Sequence, residues 1–214
     1  MADALAAVLL GLPLTLLVTA AAFSIGLVVG IPVLLALRSR FRPLALVMRF
    51  AVDLVRGIPP IVWLFLLYFG VSIGTIRLDA LTAAILGLGI ISSAYIAEMY
   101  RGGFAMVPRG QSEAAAALGL TRRTSFAMVL APQAVRTALP SLTTYLLSLL
   151  KDSSIASTIG VADMVFAATM FARQNPTTAG IVPFFLAAGV YLVVSVPVAI
   201  AARRLDARFR KDVR

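Results

Sequence analysis

Apolar residues in this chain come in long runs instead of alternating with polar ones. No charged side chain occurs between Ala4 and Leu37. That run of roughly 34 residues exceeds the ~20 needed to cross a bilayer, so the helix it predicts must tilt, kink or project. Pro13 and Pro32 are expected to mark its ends. Further runs cover about 44–71, 81–99, 134–150 and 179–202. The second is interrupted by "RGIPP", residues 56–60. A glycine followed by two prolines cannot continue a regular helix. The segment is therefore a broken helix or a lead-in helix lying partly in the interface. A break at membrane depth must line protein or a water-filled cavity, because lipid cannot satisfy the freed backbone groups. Residues 155–172 are apolar enough to suggest a sixth span, yet they carry Ser157, Thr158, Gly160 and Asp163. They read as an amphipathic or re-entrant outer segment, with the Met and Phe side chains of 164–171 facing the membrane. The pattern predicts an all-α integral membrane protein of about five transmembrane helices in a single domain over 1–214.

Composition agrees: the 214 residues are 61% hydrophobic and only 13% charged, against ~45–50% and ~25% in soluble domains. The net charge of +10 would suit nucleic-acid binding, but its distribution suits topology better. Basic residues gather at Arg38–Arg49, at Arg101–Arg136 and in the tail from Arg203. Clusters on alternate loops are the positive-inside pattern. With five spans they place the N-terminus outside and the C-terminus in the cytoplasm. A sixth span would send the basic tail outside. The absence of cysteine and histidine excludes disulfides, the usual zinc sites and Cys- or His-based nucleophilic catalysis. The first basic residue is Arg38, so the N-terminal run lacks a signal peptide's positive n-region and reads as a mature span.

The loop at about 100–133 is too long for a connector, which needs ~2–8 residues. Within it, "GQSEAAAALGLT" (110–121) has Pro108 before it and Gly119 at its end, the asymmetry of a self-contained helix. Glu113 lies in its N-terminal half, where the helix dipole favours an anion. Thr121 can cap a second short helix over Arg122–Phe126. The pair makes a compact cytoplasmic docking knob.

These residues carry a family resemblance. Glu113-Ala114-Ala115, then Gly119, Val129 and Pro132, resemble the EAA loop of ABC-importer permeases. "SAYIAEMYRGGF" (93–104), "VPRGQSEAAAALG" (107–119), "APQAVRTALPSL" (131–142) and "LLKDSSIAS" (149–157) look like the polar amino-acid branch, the histidine/glutamine/arginine-type permeases. "TLLVTAAAFSIGLVVGIP" (15–32) and "VRGIPPIVWLFLLYFGV" (55–71) resemble its first two spans. The branch usually has Thr and Gln where this chain has Ile58 and Trp63. The resemblance implies a type I importer permease fold in a bacterial inner membrane. It implies ATPase coupling through Gly110, Gln111, Glu113, Ala114, Ala115 and Gly119. The partners it implies are a cytoplasmic ABC ATPase dimer, a second identical or related permease, an extracytoplasmic solute-binding protein and a small polar amino acid. The chain has no GxxxxGK[ST] phosphate loop. ATP and Mg would be used by the partner, with no cofactor or metal on this chain.

Charges in or near the membrane are candidates for the substrate path. Glu98 and Arg101, one helical turn apart, can pair, as a structural boundary pair or as part of the path. Lys151 and Asp152, being adjacent, should point differently; they are a snorkelling interfacial pair or, with Ser153 and Ser154, a cluster lining the path that supplies acid, base and hydroxyls for a zwitterion. Asp53 and Arg56 could pair locally, or Arg56 could face the interface. Gln133 and Arg136 are expected to pack the knob against the fourth span. Two other classes remain. An ion-coupled secondary transporter or channel subunit would place a coupling acid mid-span or show inverted repeats. A membrane scaffold would not need the 151–154 cluster.

Overall fold

The computed structural model describes residues 1–73, 76–177 and 179–211, with backbone alone for 72, 73, 76 and 205–211. The architecture is helical. Helix α1 (Ala2–Leu37) is followed by α2 (Arg42–Gly57), α3 (Pro60–Gly70), α4 (Ala80–Met106), α5 (Arg109–Ala117), α6 (Arg122–Ser125), α7 (Ala131–Asp152), α8 (Met164–Gln174) and α9 (Val182–Lys211). A π-helical turn, Phe126–Leu130, joins α6 to α7, and a 3₁₀ turn, Ser153–Ile159, prolongs α7. Three helices, α1, α4 and α9, are long and apolar enough to cross a membrane. The number rises to five if the bent pairs α2–α3 and α6/α7–α8 each count as one span.

The all-helical expectation needs one small addition. Ser72–Ile73 (β1) and Ile76–Arg77 (β2) form an antiparallel two-rung ladder between α3 and α4. Asp79 then caps α4, its Oδ1 accepting from the Thr82 amide at 3.0 Å and its Oδ2 from the Thr82 hydroxyl at 2.6 Å. These donors hold the Asp79 carboxyl below its ordinary range.

Proline acts differently at three places. Pro13 and Pro32 do not end α1, which continues through both. A spanning helix tolerates interior proline where neighbouring groups re-satisfy the backbone. At "RGIPP" the chain does break: α2 and α3 meet at 100°. Pro59 lacks the N–H that would bond the Val55 carbonyl four residues back. The Trp63 indole supplies the missing donor, its Nε1 lying 3.1 Å from the Val55 oxygen. The aromatic substitution noted in the sequence thus stitches the break.

The core is built on small residues. Helix α1 packs along α4 more extensively than any other pair. A Cβ on Gly26 would lie 2.6 Å from the Ser92 side chain, and one on Gly89 would lie 3.0 Å from Ile25. With no hydrophobic drive between helices in lipid, such close backbone approach is what gains packing energy. The main core joins Val18, Ala22, Leu64, Leu88, Ile96, Leu142 and Leu149. A second core, Val8, Met164, Ala168 and Ala187, ties α1 to α8 and α9. Met164 is fully buried there, which corrects the expectation that the Met side chains of 164–171 all face the membrane. As the first residue after the Asp163 cap, it points back against α1.

Candidate functional site

The knob is self-contained. Helix α5 starts after Pro108 and ends in a full Schellman arrangement. Gly119 (φ +72°) donates to the Ala116 carbonyl, and Leu120 donates to the Ala115 carbonyl. Thr121 caps α6, accepting from the Thr124 amide at 3.2 Å. Ala115 is buried beneath α5, whereas Gly110, Gln111, Glu113, Ala114 and Gly119 are exposed. Five of the six coupling candidates therefore lie on α5, with Ala115 buried as its anchor, and the sixth, Gly119, ends it. Gln133 Nε2 donates to Gln111 Oε1 at 3.1 Å, tying the knob to the start of α7. Arg136 is exposed.

Exposed apolar residues surround the knob, and the sequence reading missed them. Met106, Leu118 and Met128 are 74%, 79% and 73% exposed. They stand at the end of α4, the end of α5 and in the π turn. Exposed large apolar side chains next to charged ones are a feature of surfaces that other proteins cover.

Among the path candidates, Glu98 and Arg101 pair in a bidentate fashion. Arg101 Nη2 lies 2.7 Å from Glu98 Oε2, and Nε lies 3.0 Å from Oε1. Asp53 and Arg56 do not pair with each other. The Arg56 guanidinium lies 5.0 Å from the centre of the Tyr95 ring. Residues 151–154 divide by helical phase. Lys151 and Ser154 line a groove of about 450 Å³ between α7 and α9, with Leu147, Tyr191, Leu192 and Ser195. Asp152 and Ser153 do not line it. Ser153 is buried and donates to the Leu150 carbonyl at 2.8 Å. Lys151–Ser154 is thus not one cluster, because 151 and 154 share a helical face and their neighbours do not.

A buried polar site lies behind this groove. Asp163 is 1% exposed and caps α8, its Oδ1 accepting from the Phe166 amide at 2.8 Å. Among the described residues its Oδ2 has no hydrogen-bond partner, and neither has the Tyr191 hydroxyl. Thr15 Oγ1 donates to the Gly11 carbonyl and accepts from the Met164 amide, both at 3.2 Å. Tyr191 lines the α7–α9 groove and also packs against the Val8–Met164 core beside Asp163. Asp163 before an apolar run was a readable N-cap signal. Its proximity to α1 was not readable.

A family profile described as "Binding-protein-dependent transport system inner membrane component" matches residues 24–211. The probable amino-acid permease YxeN of Bacillus subtilis is 34% identical over 167 residues, covering 77% of this chain and 75% of that protein. The arginine ABC transporter permease ArtQ of Haemophilus influenzae is 36% identical over 167 residues, 75% of each. The crystal structure of an amino acid ABC transporter with histidines superposes with a TM-score of 0.87 at 33% identity, covering 94% of both chains. The MetNI methionine transporter in an inward-facing form gives 0.72 at 20% identity, a likeness of fold.

Proposed function

The chain belongs to the binding-protein-dependent transport system inner membrane components, and from that membership we propose that it conducts a polar amino acid or close analogue through the bacterial inner membrane. It is a permease subunit of an ATP-binding-cassette importer, a transport component and not an enzyme. The family's partnership is with an ATPase and a binding protein. The finer proposal is a cytoplasmic ATPase dimer docked on Glu113 and its neighbours, a second permease, identical or related, and a soluble protein delivering substrate from outside. ATP and Mg belong to the ATPase in this reading. The N-terminus lies outside and the C-terminus inside, as the arginines at 38–49, 101–136 and 203–204 suggest. The relatives lend nothing to the ion-coupled alternative.

The observation that carries the docking is the exposed knob: a capped helix whose Glu113 carboxylate has no hydrogen bond or ion pair among the described residues, with Met106, Leu118 and Met128 exposed on the neighbouring segments. Gentle solubilisation of native membranes with a tag on this chain should recover an ATPase at roughly one copy per permease. Recovery of the chain alone under several mild detergents would sink the proposal.

For the path, the support is chemical. A zwitterion leaving water needs an anion for its ammonium and a cation for its carboxylate. Lys151 stands on the groove and Asp163 behind it, with Tyr191 lining the groove and packed against the core beside Asp163. Glu98, Asp152, Ser153 and Ser154 remain path candidates in this proposal, with Ser154 alone of the four on the groove. Asp163→Asn keeps an acceptor for the Phe166 amide and removes the charge. It should cut uptake of radiolabelled amino acid at least tenfold, about 1.4 kcal/mol, with complex yield unchanged. Uptake at the wild-type rate would remove Asp163 from the path.

A further inference from the structure

We infer that the stack of Phe126, Phe104 and Arg38 is the joint through which the knob moves the membrane helices. The inference rests on the knob being the ATPase dock. The three side chains come from three elements. Phe126 opens the π turn behind α6, Phe104 lies in the last turn of α4, and Arg38 caps α1. The two rings are parallel within 9°, with centroids 5.2 Å apart. The Arg38 guanidinium sits 4.6 Å from the centre of the Phe104 ring. The Phe104 ring is therefore in contact with both a cation and a second ring, which link the cytoplasmic ends of α1, α4 and the knob by contacts of the kinds that aromatic pairs and cation–π interactions favour.

Why this contact should carry motion follows from the stiffness of what surrounds it. The π turn at Phe126–Leu130 has hydrogen bonds one residue wider than an α-helix, and such turns are compliant points that recur at functional sites. A push on the knob would be lost in bending there unless a second contact handed it on. Helices α1 and α4 behave as one body, because Gly26 and Gly30 let α1 lie directly on Ser92, Ile96 and Ala97 of α4. The contacts on Phe104 join the knob to that body. Deeper along α4, Tyr95 stacks on Tyr145 of α7 at 5.3 Å and carries the Arg56 guanidinium at 5.0 Å. Arg56 stands at the break between α2 and α3. Helix α4 thus holds one stacked contact to the knob and another to the broken helix.

Hydrogen–deuterium exchange on the intact complex with its ATPase, with and without ATP, tests the joint. In the wild type, ATP should alter exchange in α5 and also at the cytoplasmic end of α1. Phe126→Leu keeps apolar bulk and removes the ring. It should leave the α5 response and shrink the α1 response roughly fivefold, and Phe126→Trp should restore it. Arg38→Gln, at an exposed position, should act in the same direction without touching the core. An α1 response within about twofold of wild type in both Phe126→Leu and Arg38→Gln would overturn the joint while leaving the dock standing. No ATP response in α5 of the wild type would overturn both, and the α5 peptides tell the two failures apart.

Discussion

Glu113→Lys is expected to reduce ATP-driven uptake to background while the chain still inserts and folds. Glu113 is exposed, and among the described residues no hydrogen bond or ion pair holds it. Beyond a small helix-dipole contribution of about 0.3–1 kcal/mol at most, the folded chain loses no contact from the change. Helix α5 keeps its Pro108 start and its Schellman end. What changes is the sign of the one charge the knob presents near its centre, flanked by Arg109 and by Arg122–Arg123. Losing one member of a desolvated interfacial charge pair costs about 2–5 kcal/mol. At about 1.4 kcal/mol per tenfold, that is a weakening of docking from roughly thirtyfold to several thousandfold. Gly119→Asp should give the same phenotype by another route. Its φ of +72° is a left-handed conformation that glycine adopts freely and an L-residue adopts with strain. The C-terminal turn of α5 would loosen beside the exposed Leu118. Uptake, membrane yield and recovery of the ATPase are measured together. Wild-type uptake in both variants would rule out the docking role.

The features the sequence made legible are those set by local chemistry. Pro59 and Pro60 removed two backbone donors, and the helix broke there. Pro108, Gly119 and Thr121 have conformational preferences that do not depend on context, and the knob followed them. Local chemistry also misleads where tertiary structure decides. Pro13 and Pro32 look like helix ends, but α1 runs through both. That Lys151 and Asp152 point differently follows from helical phase alone; that Lys151 and Ser154 meet α9 at the groove while Ser153 is buried does not. The Asp163 site was invisible for a different reason. Its parts come from α1, α8 and α9, and the bond from the Met164 amide to Thr15 spans 149 positions. Nothing in a single sequence records such a meeting. The same holds for Met106, Leu118 and Met128, which read as ordinary apolar helix until their exposure is known.

That long-range meeting makes Gly11→Val the second large effect. A Cβ on Gly11 would overlap the backbone of Asp163 and Met164. Backbone cannot rotate away as a side-chain tip can, so α1 would have to separate from the start of α8. Overpacking alone costs about 1–3 kcal/mol where side chains can adjust, and here they cannot. Separation would also break the bond from the Met164 amide to Thr15, leaving a buried donor unpaired at a further cost of about 1–3 kcal/mol. It would open the Val8–Met164–Ala187 core as well. Folded yield, followed by size-exclusion chromatography of a fluorescent fusion after a temperature ramp, should fall sharply for Gly11→Val and measurably for Gly11→Ala. Gly189→Ala is the control. It lies inside α9 with nothing within 4 Å of the added atom, and alanine is the better helix former by about 1 kcal/mol. Its thermal midpoint should hold or rise. Equal behaviour of the Gly11 and Gly189 variants would mean that α1 does not touch the Asp163 turn. The polar site behind the groove would then lose its α1 wall, and Thr15 its place beside the path.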